Sequence, residues 1–215
     1  MHILLVEDHQ LLRQVLIDCL KRHYSDAVFG EAGSGQEAKQ KLRGWWDVVL
    51  LDLLLPDASG LDLLSYVKSA LPDAKIIVLT STNECDYGIA ALSVGADGFV
   101  TKNASYTQIV NAIDRVLAGG RYFSQSLAEL LLSAHTRRSP TDKVLSGREL
   151  DILHFVGRGL SGPEIADSLN LSPRTVETYR NRVCKKLGVK NRAGLIRLAV
   201  ARELNSHLMP FDRLP

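Results

Sequence analysis

The first 120 residues alternate between short apolar runs and stretches whose apolar residues recur at helical spacing. In one such stretch, Leu12, Leu16 and Cys19 follow at intervals of four and three, which places them on one helix face. The helical segments are 11–20, 34–43, 59–70, 84–94 and 105–118. The apolar runs are HILLV (2–6), AVFGEA (27–32), DVVLLD (47–52), AKIIVLT (74–80) and DGFVT (97–101). Runs this short and continuous are typical of strands buried on both faces of a sheet. Five successive strand–helix units predict a doubly wound α/β domain with a five-stranded parallel sheet.

Helix-start signals replace the strand pattern from Ser146 onward. SGRE (146–149) and SGPE (161–164) match the capping box, in which a serine hydroxyl and a glutamate carboxylate satisfy free backbone amides. SPRT (172–175) places serine at the N-cap and proline at the first helical position. A fourth helix is expected over roughly 191–203. A small all-α domain is therefore predicted over 144–208.

The segment between the two patterned regions is expected to connect them. Gly119-Gly120 suits a helix end, so the α/β domain is placed at 1–120. SLAELLLSAH (126–135) predicts an accessory helix, and the polar TRRSPTDK (136–143) is typical of a linker. Together they make a connecting segment over 121–143.

Composition narrows the class of protein. No apolar run approaches the roughly 18 residues that a membrane helix needs, and the start MHILLVED carries no export signal. The three cysteines, Cys19, Cys85 and Cys184, form neither a disulfide framework nor a metal-ligand spacing, so a cytoplasmic chain with no membrane association is expected. The net charge of +2 is uneven: residues 1–140 carry −3 and residues 141–215 carry +5. A basic C-terminal third indicates a polyanionic partner.

Polar residues stand at the carboxyl ends of four predicted strands. Glu7 and Asp8 follow the first strand, Asp52 ends the third, Thr80 ends the fourth and Lys102 follows the fifth. In an open α/β sheet these ends meet in one crevice. Clustered carboxylates need a cation, and hard oxygen ligands favour Mg²⁺. Lys102 and the Thr80 hydroxyl suit phosphoryl oxygens, which makes Asp52 a candidate nucleophile that becomes an acyl phosphate.

The same residues lie in motifs that resemble those of the two-component receiver domain, a flavodoxin-like fold. VEDH, LDLLLPDASG, VLTS and GADGFVTK occur in the order of that family, with Thr80 28 residues and Lys102 50 residues after Asp52. The resemblance implies that Asp52 accepts phosphate from the phosphohistidine of a sensor histidine kinase. It implies at most slow self-dephosphorylation, and an apolar Leu54 is expected to slow that step further.

The resemblance also implies which residues hold the ion and transmit the signal. The implied magnesium ligands are Asp8, Asp52, the Leu54 carbonyl and, through water, Glu7. Thr80 and Phe99 would form the switch pair; the alternative for Phe99 is an ordinary core aromatic.

Residues 144–203 resemble the LuxR/NarL-type helix-turn-helix, through LSGRELDIL, GLSGPEIADSLNLSPRTVETYRNRVCKKLGV and NRAGLIRLA. In the helix that starts at Pro173, an apolar stripe runs along one face. The opposite face and its flanks carry polar donors that can enter a major groove, and residues just past the helix suit phosphates. The predicted DNA-contacting set is Arg174, Thr175, Glu177, Thr178, Asn181, Arg182, Lys185, Lys186, Lys190 and Arg192.

The helix departs from the family pattern at two positions. Glu177 stands where a DNA-contacting lysine is common, and Tyr179 stands where histidine is common. We expect Glu177 either to accept from cytosine or to weaken phosphate binding, and Tyr179 to pack at the core edge. Arg180 lies near the apolar stripe, which favours a structural ion pair. The operator sequence therefore does not transfer from relatives.

The leading hypothesis is a response regulator of the NarL/FixJ family. It would act as a homodimer on double-stranded DNA, with RNA polymerase as a possible partner; apolar positions 195, 196, 198, 199, 200 and 204 are candidates for a pairing surface. Two alternatives remain. A phosphatase of the haloacid dehalogenase type also uses a strand-end aspartate, but it needs a second aspartate where this chain has Leu54. A DNA-binding regulator could also carry a receiver that is only a scaffold and needs no phosphate.

Overall fold

The computed structural model describes residues 1–80, 84–124, 127–128 and 145–207, and it describes side chains for all of these except 80, 84–86 and 202–207. The chain divides into two compact units, Met1–Arg137 and Arg138–Pro215. The predicted accessory helix and the polar linker lie outside the described residues, apart from residues 127–128.

The N-terminal unit is a five-stranded parallel sheet with the strand order β2-β1-β3-β4-β5. The strands are β1 (His2–Val6), β2 (Val28–Ala32), β3 (Val48–Leu51), β4 (Lys75–Thr80) and β5 (Gly98–Thr101). The helices are α1 (Gln10–His23), α2 (Gly35–Lys41), α3 (Gly60–Ala70), α4 (Glu84–Val94) and α5 (Tyr106–Leu117). This confirms the doubly wound α/β prediction, with each element within a few residues of its expected bounds.

Burial explains why the strands read as continuous apolar runs. Alternate strand residues pack with α1 and α5 on one face of the sheet: Ile3, Leu5, Val48, Leu50, Ile77 and Leu79. The residues between them are equally buried, with Leu4, Val6, Val49 and Leu51 all at 0% exposure. Neither face of these strands meets water, so neither face selects polar side chains.

The strand order reverses at β1, which lies between β2 and β3. In the parallel register Val6 pairs with Leu51, so the residues that follow these strands leave the sheet side by side. A reversal of this kind opens a crevice at the carboxyl ends of the strands.

Residues after α5 add a short segment to the edge of the sheet. Gly119 takes a positive φ of 83° as the chain leaves the helix. The carbonyl of Tyr122 then accepts a hydrogen bond from the Phe99 amide at 2.7 Å, and Tyr122 donates to the Asp97 carbonyl at 3.2 Å. The sequence analysis assigned these residues to the connecting segment, because a single bridge leaves no recognisable strand pattern.

The C-terminal unit is built from four helices over its described residues: α6 (Gly147–Gly157), α7 (Gly162–Ser168), α8 (Pro173–Leu187) and α9 (Arg192–His207). Both predicted capping boxes form, at Ser146 with Glu149 and at Ser161 with Glu164. The core of the unit includes Leu150, Ile152, Leu153, Ile165, Val176, Val183, Leu195 and Ala199.

The proposed pairing surface on α9 needs correction. Leu195 and Ala199 are 1% and 2% exposed, so they stabilise the unit itself. Ile196 is 39% exposed and stays available. Residue 204 lies among the side chains that the structure leaves undescribed.

No helix in the described part of the chain combines the length and apolar character needed to cross a membrane.

Candidate functional site

Three charged residues meet where β1, β3 and β5 end. Glu7 follows β1, Asp52 follows β3 and Lys102 follows β5. The Asp52 amide donates to the Val6 carbonyl at 2.9 Å, which continues the ladder between β1 and β3 by one residue. The backbone of the sheet therefore fixes the two carboxylates next to each other.

The Lys102 ammonium group joins the two carboxylates. Its Nζ lies 2.6 Å from Glu7 Oε2 and 2.8 Å from Asp52 Oδ2. Glu7 is 0% exposed and Asp52 is 1% exposed. Carboxylates are almost never buried unless they are paired, so Lys102 is the partner that makes this arrangement tolerable.

The pocket shifts the pKa values of two of these groups. Burial raises the pKa of Glu7, the hydrogen bond from Lys102 opposes that effect, and the nearby Asp52 charge raises it further; the pKa stays above its ordinary value. Burial alone would lower the pKa of Lys102, but attraction and hydrogen bonds from Asp52 and Glu7 outweigh burial and raise it. Lys102 is therefore protonated, and its positive charge interacts with the two carboxylates of the pocket.

Asp8 and His9 form the rim of the pocket. The Asp8 side chain is 30% exposed, and His9 Nδ1 lies 3.0 Å from Asp8 Oδ1 and 3.3 Å from Glu7 Oε1. One ligand atom from each of Glu7, Asp8 and His9 falls within 4.8 Å of the others. Glu7 and Asp8 were predicted from the sequence and His9 was not, although VEDH places it directly after them.

The donor set fits Mg²⁺. Carboxylate oxygens at a partly exposed edge are the ligands that this ion prefers, and it keeps several waters. Glu7 and Asp8 supply such oxygens, with Asp52 beside them. The imidazole of His9 suits softer divalent ions, so we assign it to the rim and not to the predicted ligand set.

The loop after β3 fixes the orientation of the Asp52 carboxylate. The Leu54 amide donates to Asp52 Oδ1 at 3.0 Å, and Leu54 forms a bridge to Ser59 that closes the loop. A Cβ at Gly60 would lie 2.2 Å from the Leu53 Cα, so only glycine fits where the loop enters α3. Asp52 is thus held on one oxygen by a backbone amide and on the other by Lys102.

Asp57 ties this loop to α2. Its carboxylate accepts from the amides of Gly35 and Gln36 at 2.7 and 2.8 Å. Carboxylates at a helix N-terminus satisfy free amides and complement the helix dipole. The sequence analysis gave Asp57 no role, and its position in a turn motif does not reveal a partner about twenty residues earlier.

The predicted switch pair is only partly described. Thr80 is the last residue of β4, and its side chain lies outside the description. Phe99 lies in β5 opposite Val78 and is 2% exposed. Its burial is what the core-aromatic alternative expects, so its switch role stays a prediction.

The second candidate site is the outer face of α8. Val176 and Val183 are buried at 0% exposure, which orients the helix. All side chains expected on the opposite face are exposed: Arg174, Thr178, Asn181 and Lys185. Four others of the predicted DNA-contacting set are exposed as well: Glu177, Arg182, Lys190 and Arg192.

Two side chains of α8, those of Thr175 and Tyr179, are half-buried. Thr175 belongs to the helix cap, since its hydroxyl lies 2.7 Å from that of Ser172. Tyr179 is half-buried at the core edge, as expected, and the Arg182 guanidinium lies 5.6 Å from the centre of its ring.

Lys186 pairs with a buried carboxylate, and its predicted DNA contact stays a prediction. It was expected to flank the DNA-contacting face, but its Nζ lies 2.5 Å from the carboxylate of Glu149, which is 3% exposed. Burial raises the pKa of Glu149, while hydrogen bonds from Lys186 and Ser146 outweigh that effect and leave the pKa lowered. We therefore treat Lys186 as the residue that ties α8 to α6 and leave it out of the DNA-contacting set.

Arg180 is buried at 5% exposure, as its position near the apolar stripe suggested. The expected ion pair is loose, with 3.9 Å between Arg180 Nη1 and Glu177 Oε2. Its closer contact is a 3.3 Å hydrogen bond from Nη2 to the Leu160 carbonyl.

An acidic pocket at the switch point of a parallel sheet, in one chain with a four-helix unit that presents a polar helix face, defines a regulatory protein of the receiver-plus-helix-turn-helix class. The comparisons with known proteins agree. Residues 3–114 match the family model of the response regulator receiver domain, and residues 143–199 match that of the bacterial regulatory proteins of the luxR family. The chain belongs to the NarL/FixJ family of two-component response regulators, which regulate transcription by binding DNA.

Similar proteins cover nearly the whole chain. The transcriptional regulatory protein MctR of Rhizobium johnstonii is 34% identical over 199 residues, covering 92% of each chain. The response regulator GacA of Pseudomonas syringae is 36% identical over 203 residues, covering 92% of this chain and 94% of the relative. Among solved structures, RcsB of Salmonella enterica serovar Typhimurium, bound to promoter DNA with the phosphomimetic BeF₃⁻, gives a TM-score of 0.68 at 26% identity, covering 94% of this chain and 98% of that one.

Proposed function

We propose that Asp52 accepts a phosphoryl group from the phosphohistidine of a sensor histidine kinase, and that this event controls DNA binding by the C-terminal unit. The observation that carries the proposal is the position of Asp52 at the end of β3, 2.8 Å from Lys102 and beside Glu7. A carboxylate with a fixed cation beside it, and with neighbouring acidic groups that would hold Mg²⁺, is suited to receive an anionic phosphoryl group. The chain would work in the cytoplasm, with 1–120 as the receiver, 121–143 as the connection and 144–208 as the DNA-binding domain.

The transfer would proceed by attack of an Asp52 carboxylate oxygen on phosphorus. The bond from phosphorus to the kinase imidazole breaks as the acyl phosphate bond forms, and the imidazole nitrogen keeps the electron pair. Mg²⁺, when bound by Asp8, Asp52 and the Leu54 carbonyl, with Glu7 acting through water, supplies positive charge to the phosphoryl oxygens. Lys102 holds a phosphoryl oxygen in place of its present contact with Asp52.

The new group would then bias the receiver toward a second conformation. Thr80, the last residue of β4, would donate its hydroxyl to the phosphoryl group, and Phe99 would follow it as the switch partner. A change of this kind shifts an equilibrium between two surfaces of the receiver. We infer that the shift favours a homodimer, because two-fold symmetry matches paired half-sites on DNA, and RNA polymerase is a possible later partner.

Exposed residues of α8 and of the turn after it would make the DNA contacts. Our set is Arg174, Thr175, Glu177, Thr178, Asn181, Arg182, Lys185, Lys190 and Arg192. Support comes from the exposure of eight of these nine side chains, Thr175 being half-buried, and from the similarity to RcsB, which was solved on promoter DNA.

The test of the first proposal uses acetyl phosphate and Mg²⁺ on the full chain, the Asp52→Asn variant and the Asp73→Asn variant. Asp73 is exposed and lies outside the pocket, so it is a matched carboxylate control. We expect phosphate incorporation, a larger oligomer and tighter DNA retention in the wild type and in Asp73→Asn, and none of these changes in Asp52→Asn. Equal oligomer size and DNA binding in all samples would favour the scaffold alternative; steady turnover of phosphate esters would favour the phosphatase.

The DNA-contacting set is tested with Arg174→Ala against Arg197→Ala. Arg197 is exposed on α9 and outside the set, so both variants lose one surface charge. A residue that contacts a phosphate contributes about one unit to the slope of log affinity against log salt. We expect that loss for Arg174→Ala alone, and an unchanged slope would remove Arg174 from the set.

Leu54 is proposed to slow loss of the phosphate. It lies half-buried next to the phosphoacceptor loop, where an apolar side chain does not orient an attacking water. Leu54→Asn should shorten the lifetime of the acyl phosphate, and an unchanged lifetime would contradict the proposal.

A further inference from the structure

The C-terminal unit encloses a cavity of about 230 Å³ behind the DNA-contacting face of α8. It lies where the end of α6 and the start of α7 meet α8 and α9. Its apolar walls come from Val156, Leu160, Leu195 and Ile196, and Arg180 and Arg192 are also among its lining residues.

Arg180 carries a buried charge that no carboxylate among the described residues pairs with closely. It is 5% exposed, and its Nε has no hydrogen-bond partner among the described residues. The hydrogen bond to the Leu160 carbonyl satisfies only Nη2. Glu177, at 3.9 Å from Nη1, has a side chain that is 61% exposed, so water screens its charge.

Arg192 increases the electrostatic cost of burying the charged Arg180 guanidinium. Burial lowers the pKa of Arg180, and the positive charge of Arg192 lowers it further, while Glu177 opposes both. Two guanidinium groups at one cavity, with one weak acidic partner between them, create a site of uncompensated positive charge. A buried charge of this kind is stabilised when an anion pairs with it.

We propose that this cavity binds a small organic carboxylate whose body is apolar. The carboxylate would pair with the Arg180 fork, whose planar donors match two carboxylate oxygens. Arg192 would close the mouth of the cavity, and the ring or short chain of the ligand would lie against Leu160, Leu195 and Ile196.

The size of the cavity limits the ligand. At about 30 Å³ per water-sized volume, the space suits a molecule of about eight to ten non-hydrogen atoms. Ligands that small reach Kd values on the order of 1 mM when one ion pair and a modest apolar contact hold them. Benzoate has the required charge, size and apolar ring, and benzyl alcohol is its neutral counterpart.

The test is ligand-observed NMR titration of the full-length, unphosphorylated protein with benzoate and benzyl alcohol. We expect benzoate to bind with a Kd on the order of 1 mM and benzyl alcohol to bind at least ten times more weakly. Arg180→Met should weaken benzoate binding at least tenfold, since methionine keeps the bulk and removes the charge. Arg174→Met is the control, because Arg174 is exposed on the same helix and outside the cavity.

A second variant keeps the test independent of the fold around Arg180. Arg192→Met changes an exposed residue and should weaken benzoate binding several-fold. Equal binding of the two probes, wild-type affinity in both Arg180→Met and Arg192→Met, or no binding at 20 mM benzoate (about twenty times the expected Kd) would overturn the proposal. Asp52→Asn should bind benzoate as the wild type does, so failure of the phosphorylation proposal leaves this result readable.

Discussion

Replacing Lys186 by methionine separates a structural role from a DNA-contacting one. In the native unit, its ammonium group lies 2.5 Å from the Glu149 carboxylate, which also accepts from the Ser146 amide at 2.7 Å. The variant leaves Glu149 at its buried position with its hydrogen bonds from Ser146 but without the Lys186 cation. We expect the C-terminal unit to lose stability, because an ionised carboxylate without its cation is costly in the interior.

The magnitude follows from the burial of the pair. Removing one partner of a fully buried ion pair costs about 3–5 kcal/mol. The Lys186 side chain is 32% exposed and Glu149 only 4%, so water recovers part of the loss and about 2 kcal/mol is expected. The pKa of Glu149 is lowered in the folded state, so its stabilising effect is present above its unfolded pKa and is lost as pH falls through the lowered value. The difference between variant and wild type should therefore be largest above about pH 5 and shrink toward pH 3.

Urea unfolding of the full chain supplies the assay. Both tryptophans, Trp45 and Trp46, lie in the N-terminal unit, so their fluorescence reports that unit alone. Far-UV circular dichroism reports both units. With about 1–2 kcal/mol per M for a small unit, the Lys186→Met variant should lower the dichroism midpoint of the C-terminal unit by about 1–2 M, while the tryptophan midpoint stays unchanged.

Lys185→Met is the matched control, because it removes the same charge from an exposed neighbour. It should leave both midpoints within about 0.5 kcal/mol of the wild type and weaken DNA binding instead. If Lys186→Met and Lys185→Met have the same stability, the assignment of Lys186 to the interior is refuted. A Glu149→Gln, Lys186→Met double variant should lose less than the sum of the single variants.

Three further predictions concern the receiver, each measured by tryptophan fluorescence during urea unfolding. Lys102→Met leaves two buried carboxylates without their cation and should cost about 3 kcal/mol at pH 7; the loss should shrink as the pH is lowered, because the raised pKa of Glu7 favours its neutral form, and a loss that does not change with pH would contradict this. Gly60→Ala places a Cβ 2.2 Å from the Leu53 Cα and should cost at least about 2 kcal/mol, so wild-type stability would refute the close approach. Asp57→Ala removes the acceptor for two amides at the start of α2 and should lower the free energy of unfolding by about 1 kcal/mol. Asp57→Asn should retain much of the stability that Asp57→Ala loses.

The sheet and the four C-terminal helices were predictable because local signals and tertiary packing agree. The continuous apolar strands are buried on both faces, and SGRE and SGPE form the capping boxes that their spacing indicates. The bridge from Tyr122 to β5 had no such signal, since one pair of backbone hydrogen bonds constrains no side-chain pattern.

The residues of the candidate site also differ in whether local sequence signals could predict their contacts. Glu7, Asp52 and Lys102 could be brought together in advance, because parallel strands place their carboxyl ends at one edge. The ion pair of Lys186 could not be predicted, because helical spacing gives the face of α8 but not the presence of a buried carboxylate 37 residues earlier. His9 directly follows Asp8 in the sequence, but only its contacts in the folded structure place it at the pocket.

The position of Lys102 links the acidic pocket to the end of the receiver. Lys102 directly follows β5, and its ammonium group is shared between two buried carboxylates. In the function that we propose, a phosphoryl group on Asp52 would change what that ammonium contacts at the end of β5. The same strand carries Phe99, whose amide donates to Tyr122 in the segment that leaves the receiver. Because β5 joins the lysine to that hydrogen bond over three residues, we propose β5 as the element through which a phosphoryl group on Asp52 would act on the segment around Tyr122.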